Sequence, residues 1–121
     1  MKQHTHYPDI KNYITKDGSI IRELMHPAQH GNKNQSLAEA VVPAGIKTLL
    51  HRHARSEELY HVTQGKGMIT LNDEQFEVTV GDTVCISPGD AHCIENTGEQ
   101  DLKILCCCSP AYQHDDTELL V

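Results

Sequence analysis

An all-β fold, a sandwich or barrel of short strands, is what this sequence predicts, on three observations. Its apolar runs are short and are broken by turn residues about every 8–12 positions. Where a run is long enough to show a period, the period is two: in residues 75–80, Phe76, Val78 and Val80 share one face and Gln75, Glu77 and Thr79 the other. No amphipathic stretch reaches helical length. Residues 35–42 come nearest, and Pro43 and Gly45 close them too early for a helix.

The elements follow in order. Residues 1–9 are polar; His4 and His6 share a His-x-His spacing but have no flanking strand signal and no third donor nearby, so they are set aside as ligands. Apolar runs at 13–15 and 19–24 flank Lys16-Asp17-Gly18, an Asp-Gly hairpin signal. Residues 26–35 read as loop and 37–42 as a strand. Beyond the stretch 45–65, strands at 67–71 and 75–80 surround Asn72-Asp73-Glu74. Gly81-Asp82 turns the chain into 83–86, and Ser87-Pro88-Gly89-Asp90 turns it again into 92–96. A last strand, 102–108, ends at Ser109-Pro110 and leads into an acidic tail with a Leu-Leu-Val tip.

Composition limits the function classes. A chain of 121 residues forms one domain and buries roughly two-thirds of its unfolded surface without needing cross-links. The apolar fraction is 38%, with one Phe and no Trp, as for a barrel partly filled by polar pocket residues. A net charge of −7 argues against nucleic acid and anionic membrane surfaces as partners. No apolar run approaches the roughly 18 residues of a spanning helix, and no hydrophobic segment follows the first residues as in a signal peptide, so a cytoplasmic location is expected. Five cysteines, three of them consecutive at Cys106-Cys107-Cys108, make a poor disulfide framework because neighbours in a strand face opposite ways. They read as small buried hydrophobes in a reducing compartment.

Residues 45–65 carry the chemistry. His51 and His53 are two apart, so on a strand both rings reach the same side. Glu58 heads a second strand on the face it shares with Tyr60 and Val62, while Glu57 and His61 take the outer face. A bulge between Arg55 and Leu59 would shift that register and bring Glu57 inward. His92 shares its parity with Ile94 and Asn96. Three imidazoles and a carboxylate suit one divalent first-row ion, Mn, Fe, Ni, Co or Zn, with open coordination positions left over. Tyr60 is the candidate catalytic or polar pocket residue, and Leu49, Leu102, Ile104, Cys106 and Cys108 are expected to line the same interior. Arg22, Lys47, Arg52 and Arg55 are the cations within reach of a mouth. His26, His30, His61 and His114 have no evident partner, and Asp115, Asp116 and Glu118 read as a surface cluster.

Residues 45–65 fit Gly-x5-His-x-His-x4-Glu-x6-Gly at every defined position, and 81–96 fit Gly-x5-Pro-x-Gly-x2-His-x3-Asn through Gly81, Gly89, His92 and Asn96, with Ser87 in place of the first Pro. These two motifs are similar to those of the cupin superfamily, and the chain resembles the small single-domain cupins of bacteria and archaea. The resemblance implies a double-stranded β-helix (jelly-roll) barrel over about 37–108, with extra strands within 10–35 and a tail at 109–121. It implies metal ligands at His51, His53, Glu58 and His92, in the unshifted register that leaves Glu57 outside. It also implies a homodimer and either a metal-dependent enzyme (dioxygenase, decarboxylase, lyase or isomerase) on a small oxygen-rich substrate, or a non-catalytic module that binds or senses a small ligand. The chain carries neither the second barrel nor the helix-turn-helix of storage and regulatory cupins.

Overall fold

The computed structural model describes residues 3–120. Strands dominate: β1 (Tyr13–Ile14), β2 (Ile20–Met25), β3 (Ser36–Val42), β4 (His51–His53), β5 (Glu57–Gln64), β6 (Lys66–Leu71), β7 (Glu74–Thr79), β8 (Thr83–Ile86), β9 (His92–Asn96), β10 (Leu102–Ser109) and β11 (Thr117–Leu119). They form two antiparallel sheets, β1-β2-β3-β10-β5-β8 and β11-β4-β9-β6-β7, which face one another as a jelly roll. Among the described residues, no helix is long and apolar enough to cross a membrane.

The period-two pattern explains the packing. In β10, Leu102, Ile104, Cys106 and Cys108 are buried and alternate with more open neighbours, as the outward parity of Lys103 requires. β10 lies between β3 and β5, with Ile104 opposite Ala40 on one side and Val62 on the other. From the second sheet Ile69 and Ile94, themselves paired across β6 and β9, close the core against Val42, Ile86 and Leu102. Burial of these side chains, about 2 kcal/mol each, drives the two sheets together. Asn96 serves this packing: its Nδ2 donates to Val42 O and Gln100 O, both at 2.8 Å, and its Oδ1 accepts from Gly98 N at 2.9 Å. It satisfies three backbone groups where the sheets meet.

Several expectations need correction. Residues 26–35 contain α1 (Pro27–His30), a single turn with Pro27 at its start and Gly31 at φ 77° at its end. His26 caps it, its Nδ1 accepting from Ala28 N at 3.0 Å. Val80 does not continue the buried face of β7; the strand ends at Thr79 and Val80 is 58% exposed. Cys85 is exposed rather than buried, although Cys93, Cys106 and Cys108 are buried as expected and all five thiols are free.

The largest correction concerns residues 109–121. Rather than a solvated acidic tail, they add β11 to the edge of the second sheet, Thr117 opposite His53 and Leu119 opposite His51; Val121 of the apolar tip lies outside the described residues. Asp116 is buried, not part of a surface cluster. Its carboxylate accepts from Arg55 N at 3.0 Å, Ser56 N at 3.1 Å and Arg55 Nε at 3.2 Å, clasping the turn between β4 and β5. Burial pushes the Asp116 carboxyl up, but these donors outweigh burial and hold it below the usual carboxylate range.

Two stability predictions follow from these contacts. A Cβ on Gly67 would sit 2.6 Å from Glu95 O and 3.0 Å from Leu102 Cδ2. Gly67→Ala is therefore expected to destabilise by about 1–3 kcal/mol through overpacking, measured by denaturant unfolding; a variant as stable as the parent would contradict the tight β6–β9 approach. Asp116→Ala is expected to cost about 2 kcal/mol at neutral pH, the scale of hydrogen bonds to a charged group. Because the folded carboxyl is depressed, its contribution is full above the ordinary carboxylate value and is lost as pH falls through the lower folded value. The gap between parent and variant should close on acidification, and a pH-independent gap would refute the clasp.

Candidate metal centre

The two sheets bring four predicted residues to one place. Alternation in β4 buries His51 and His53 and exposes Arg52 between them. β9 lies beside β4 with His92 directly opposite His51. Glu58 arrives from the other sheet, on β5, flanked by Cys108 of β10 and Ile86 of β8. Glu57 is exposed, so the register is unshifted. All four inward residues are at most 5% exposed, and His92 is fully buried. The turn before β9 is fixed by Gly89, whose φ of 86° suits glycine and whose N–H donates to His53 O at 2.7 Å.

One ring nitrogen of each histidine lies within 4.8 Å of the other two. Glu58 Oε1 is 3.3 Å from His53 Nε2 and 3.4 Å from His92 Nε2. The far nitrogens decide which atoms carry protons. His51 Nδ1 lies 2.8 Å from Leu49 O, and His92 Nδ1 lies 3.0 Å from Asp90 O. A carbonyl only accepts, so both Nδ1 atoms are protonated. His53 Nδ1 lies 3.0 Å from Thr117 Oγ1, whose own hydrogen goes to Gln113 O at 3.0 Å. Thr117 therefore accepts from His53, and with a proton on each Nδ1 all three rings turn Nε2 toward the interior.

That arrangement lacks a positive partner. Glu58 Oε1 and His92 Nε2 are buried with no hydrogen-bond donor. Burial, with His92 beside it, holds the His51 ring below its ordinary value and so neutral at pH 7. A buried carboxyl oxygen facing imidazole lone pairs at 3.3 and 3.4 Å, with no donor among the described residues, calls for a cation between them. The buried three-histidine cluster is compatible with a single metal ion, and Glu58 could complete its ligands. Glu58's second oxygen is occupied, since Cys108 Sγ donates to Oε2 at 3.3 Å. Burial and the Glu58 charge push that thiol well up, so it stays protonated and able to donate.

A narrow cavity, open to solvent, is lined by His51, His53 and Glu58, by Tyr60, Cys106 and Cys108, and by a polar wall built from β1, β2 and the C-terminal segment. Tyr60 lines it as expected; its ring stands edge-on to His92 with centroids 5.9 Å apart, and burial pushes its phenol well above the usual value. Leu49 does not line it and is 44% exposed. The chain just before β4 is irregular, Leu49 N donating to Asp17 O and Thr48 N to Ile94 O, so strand parity does not carry back and Thr48 is the inward residue. Among the described residues, no Lys or Arg lines the cavity. Arg52 pairs with Glu118 at 2.9 Å, Arg55 with Asp116, and Arg22 with Glu39 at 3.9 Å.

The cavity residues that went unnoticed in the sequence include Tyr13, Asp17, Glu23, Tyr112 and Thr117. Asp17 reads as a solvent-facing turn residue, yet it is 8% exposed, and its Oδ2 lies 3.7 Å from His51 Nε2. Ser19 N and Oγ hold its other oxygen at 2.9 and 2.7 Å. The alternation of Ser19, Ile21 and Glu23 was a usable signal for Glu23; nothing local marks Tyr112 or Thr117. The histidines left without partners also find them. His26 Nε2 meets Tyr112 O at 2.7 Å, His30 Nδ1 accepts from His26 N at 2.9 Å, His61 Nδ1 meets Thr83 Oγ1 at 2.8 Å, and His114 Nδ1 meets Tyr112 Oη at 3.1 Å. His4 and His6 are exposed, apart from the cluster.

Known proteins of the same build agree with this architecture. An uncharacterized protein of Methanocaldococcus jannaschii is 59% identical over 116 residues, which cover 96% of this chain and 93% of that one. An oxalate-binding protein of Thermotoga maritima is 33% identical over 86 residues, 71% of this chain and 67% of the relative. The structure of a Streptomyces PAC13 variant with uridine superposes with a TM-score of 0.82 at 16% identity, covering 100% of this chain and 92% of that one. Residues 38–108, more than half of the sequence and including all four convergent side chains, match the model of the Cupin domain, and the chain belongs to the cupin family.

Proposed function

We propose that this cupin binds one divalent first-row transition metal through His51, His53, Glu58 and His92, and acts as a metal-dependent enzyme on a small oxygen-rich substrate. The observation that carries the reading is the convergence of buried lone pairs: Glu58 Oε1 and His92 Nε2 have no donor, and the Nδ1 partners of all three rings turn Nε2 inward. When bound, a divalent ion with open positions supplies Lewis-acid or redox chemistry to a chelating ligand. The chain's own residues do the rest. Leu49 O, Asp90 O and Thr117 Oγ1 orient the rings, the Cys108 thiol holds Glu58, and the buried Tyr60 phenol, which stays protonated, is placed to donate to a bound ligand. Dioxygenase, decarboxylase, lyase and isomerase chemistry all use such a site.

A second reading, a non-catalytic ligand-binding module, draws support from the Thermotoga maritima relative, which is named for binding oxalate. Turnover separates the two: a ligand that perturbs the loaded site yet is recovered unchanged, under air and in its absence, favours binding alone. We also propose pairing into a homodimer, supported by apolar surface that the fold leaves open, including Ile14 on the edge strand β1 at 73% exposure. Sizing chromatography should give twice the 13.5 kDa chain mass; a single-chain mass would reject it.

Metal content tests the ligand set directly. Glu58→Ala and His92→Ala are expected to weaken cobalt or zinc binding by more than about 100-fold, beyond what loss of an orienting residue does. Glu57→Ala and His61→Ala should bind like the parent, since Glu57 is exposed and His61 bonds Thr83 on the outer face. Adding metal at a hundredfold excess over its dissociation constant should stabilise the fold by about 3 kcal/mol, and chelator should reverse it. Binding lost in Glu57→Ala but kept in Glu58→Ala, or a melting curve indifferent to both metal and chelator, would overturn the assignment.

A further inference from the structure

The wall of the cavity built from β1 and β2 holds a carboxyl that the metal reading does not use. Glu23 is 5% exposed and lines the cavity. Its Oε2 accepts from Tyr13 Oη at 3.1 Å, but its Oε1 is buried without any donor. Between Glu23 and Glu58 the inner face of the sheet is small: Ser36 and Ala38 of β3 line the cavity, and the ladder runs from Glu23 through Ala38 and Cys106 to Tyr60. Strands spaced about 4.8 Å apart put Glu23 and Tyr60 about 14 Å from one another along the sheet backbone, with the side chains reaching inward across the gap. The cavity lining thus holds both the histidine cluster and Glu23, whose Oε1 is buried with no hydrogen-bond partner among the described residues.

Charge selects what can fill it. Among the described residues, Lys and Arg are absent from the lining, while Asp17, Glu23 and Glu58 are all present. A divalent ion's two charges are matched by Glu58, which would hold it, and Asp17, whose Oδ2 lies 3.7 Å from His51 Nε2. An anionic ligand would meet no excess positive charge there, and its far oxygens would set lone pairs against Glu23 Oε1. A hydroxyl supplies what that oxygen lacks, a hydrogen to accept. Its own oxygen can in turn accept from a neighbouring donor.

We propose that the cavity takes a neutral polyhydroxylated ligand of the sugar class, with oxygens at one end on the metal and a hydroxyl at the other end donating to Glu23 Oε1. Glu23 is then the residue that selects hydroxyl donors over carboxylates, and Tyr13 holds it in place. This rests on the metal reading above and assigns the ligand class that reading leaves open.

The test keeps the two apart. Cobalt is first titrated into the full chain, Glu23→Gln and Tyr13→Phe, and equal affinities are expected because neither residue joins the ligand cluster. The cobalt-loaded proteins are then titrated with ribose, inositol, uridine and oxalate, followed by calorimetry and the visible cobalt spectrum. At least one neutral polyol should bind the parent and lose about tenfold or more in Glu23→Gln, with a smaller loss in Tyr13→Phe. Oxalate should bind Glu23→Gln several-fold more tightly than the parent. No polyol binding to the cobalt-loaded parent, equal polyol affinity in parent and Glu23→Gln, or oxalate indifferent to that substitution would each overturn the proposal while leaving the metal site intact. Failure of the parent to take up cobalt would instead sink the metal reading, and this proposal with it.

Discussion

Everything around the cluster depends on where three imidazole protons sit. Two backbone carbonyls and one hydroxyl, already committed as a donor elsewhere, fix a proton on each Nδ1. The inward Nε2 atoms are then acceptors beside the Glu58 carboxyl group. A buried set of acceptors without a donor is costly for a fold to maintain. The barrel sustains it through sheet pairing: His51 is locked opposite His92, and β11 lies over β4 so that Thr117 meets His53. Local order at each ring is therefore a consequence of strands that meet only in the finished fold.

The carboxylate comes from the opposite sheet, and this makes the cluster a joint between the two layers. Glu58 is carried by β5, which pairs with β10 and β8, whereas the histidines belong to β4 and β9. Below the cluster the same layers meet through Ile69, Ile94, Leu102 and Ile104, all at most 2% exposed. A rigid apolar floor of this kind keeps the polar groups above it from collapsing onto one another. The apolar core reaches the site itself, with Ile86 paired to Glu58 and Leu71 paired to His92, so the polar groups are held by the same packing that joins the sheets.

How much of this was legible in the sequence follows from how local each signal is. Parity along an extended strand is local, so His51 with His53, Glu58 against Glu57, and the inner face of β10 were all readable. Positive-φ glycines are local too, and Gly65, Gly81 and Gly89 stand at φ 83°, 92° and 86° where turns were expected. Leu49 failed because parity was extended back past the start of β4, where the backbone bonds to Asp17 and Ile94 instead of to a regular ladder partner. Asp17 failed because an Asp-Gly turn usually faces water, and only the packing of the first hairpin over the barrel buries it. Asp116 and Thr117 failed for a further reason: a charged, short segment gives no strand signal, and its pairing with β4 spans more than sixty positions in sequence.

The cavity residues that were missed, as distinct from Leu49, Val80 and Cys85, lie mostly outside the family match. The family match covers 38–108, and within it lie His51, His53, Glu58, His92 and Tyr60. Outside it lie Tyr13, Asp17, Glu23, Ser36, Tyr112 and Thr117, which form much of the remaining cavity wall. The barrel motif thus carries the metal-type donor set, while the segments on either side decide what else can enter. Two cupins can share every motif position and still present opposite charge to a ligand, because that charge is set by a hairpin and a terminal strand that the motifs do not describe. The fold is a shared property of the family; selectivity has to be argued from the walls.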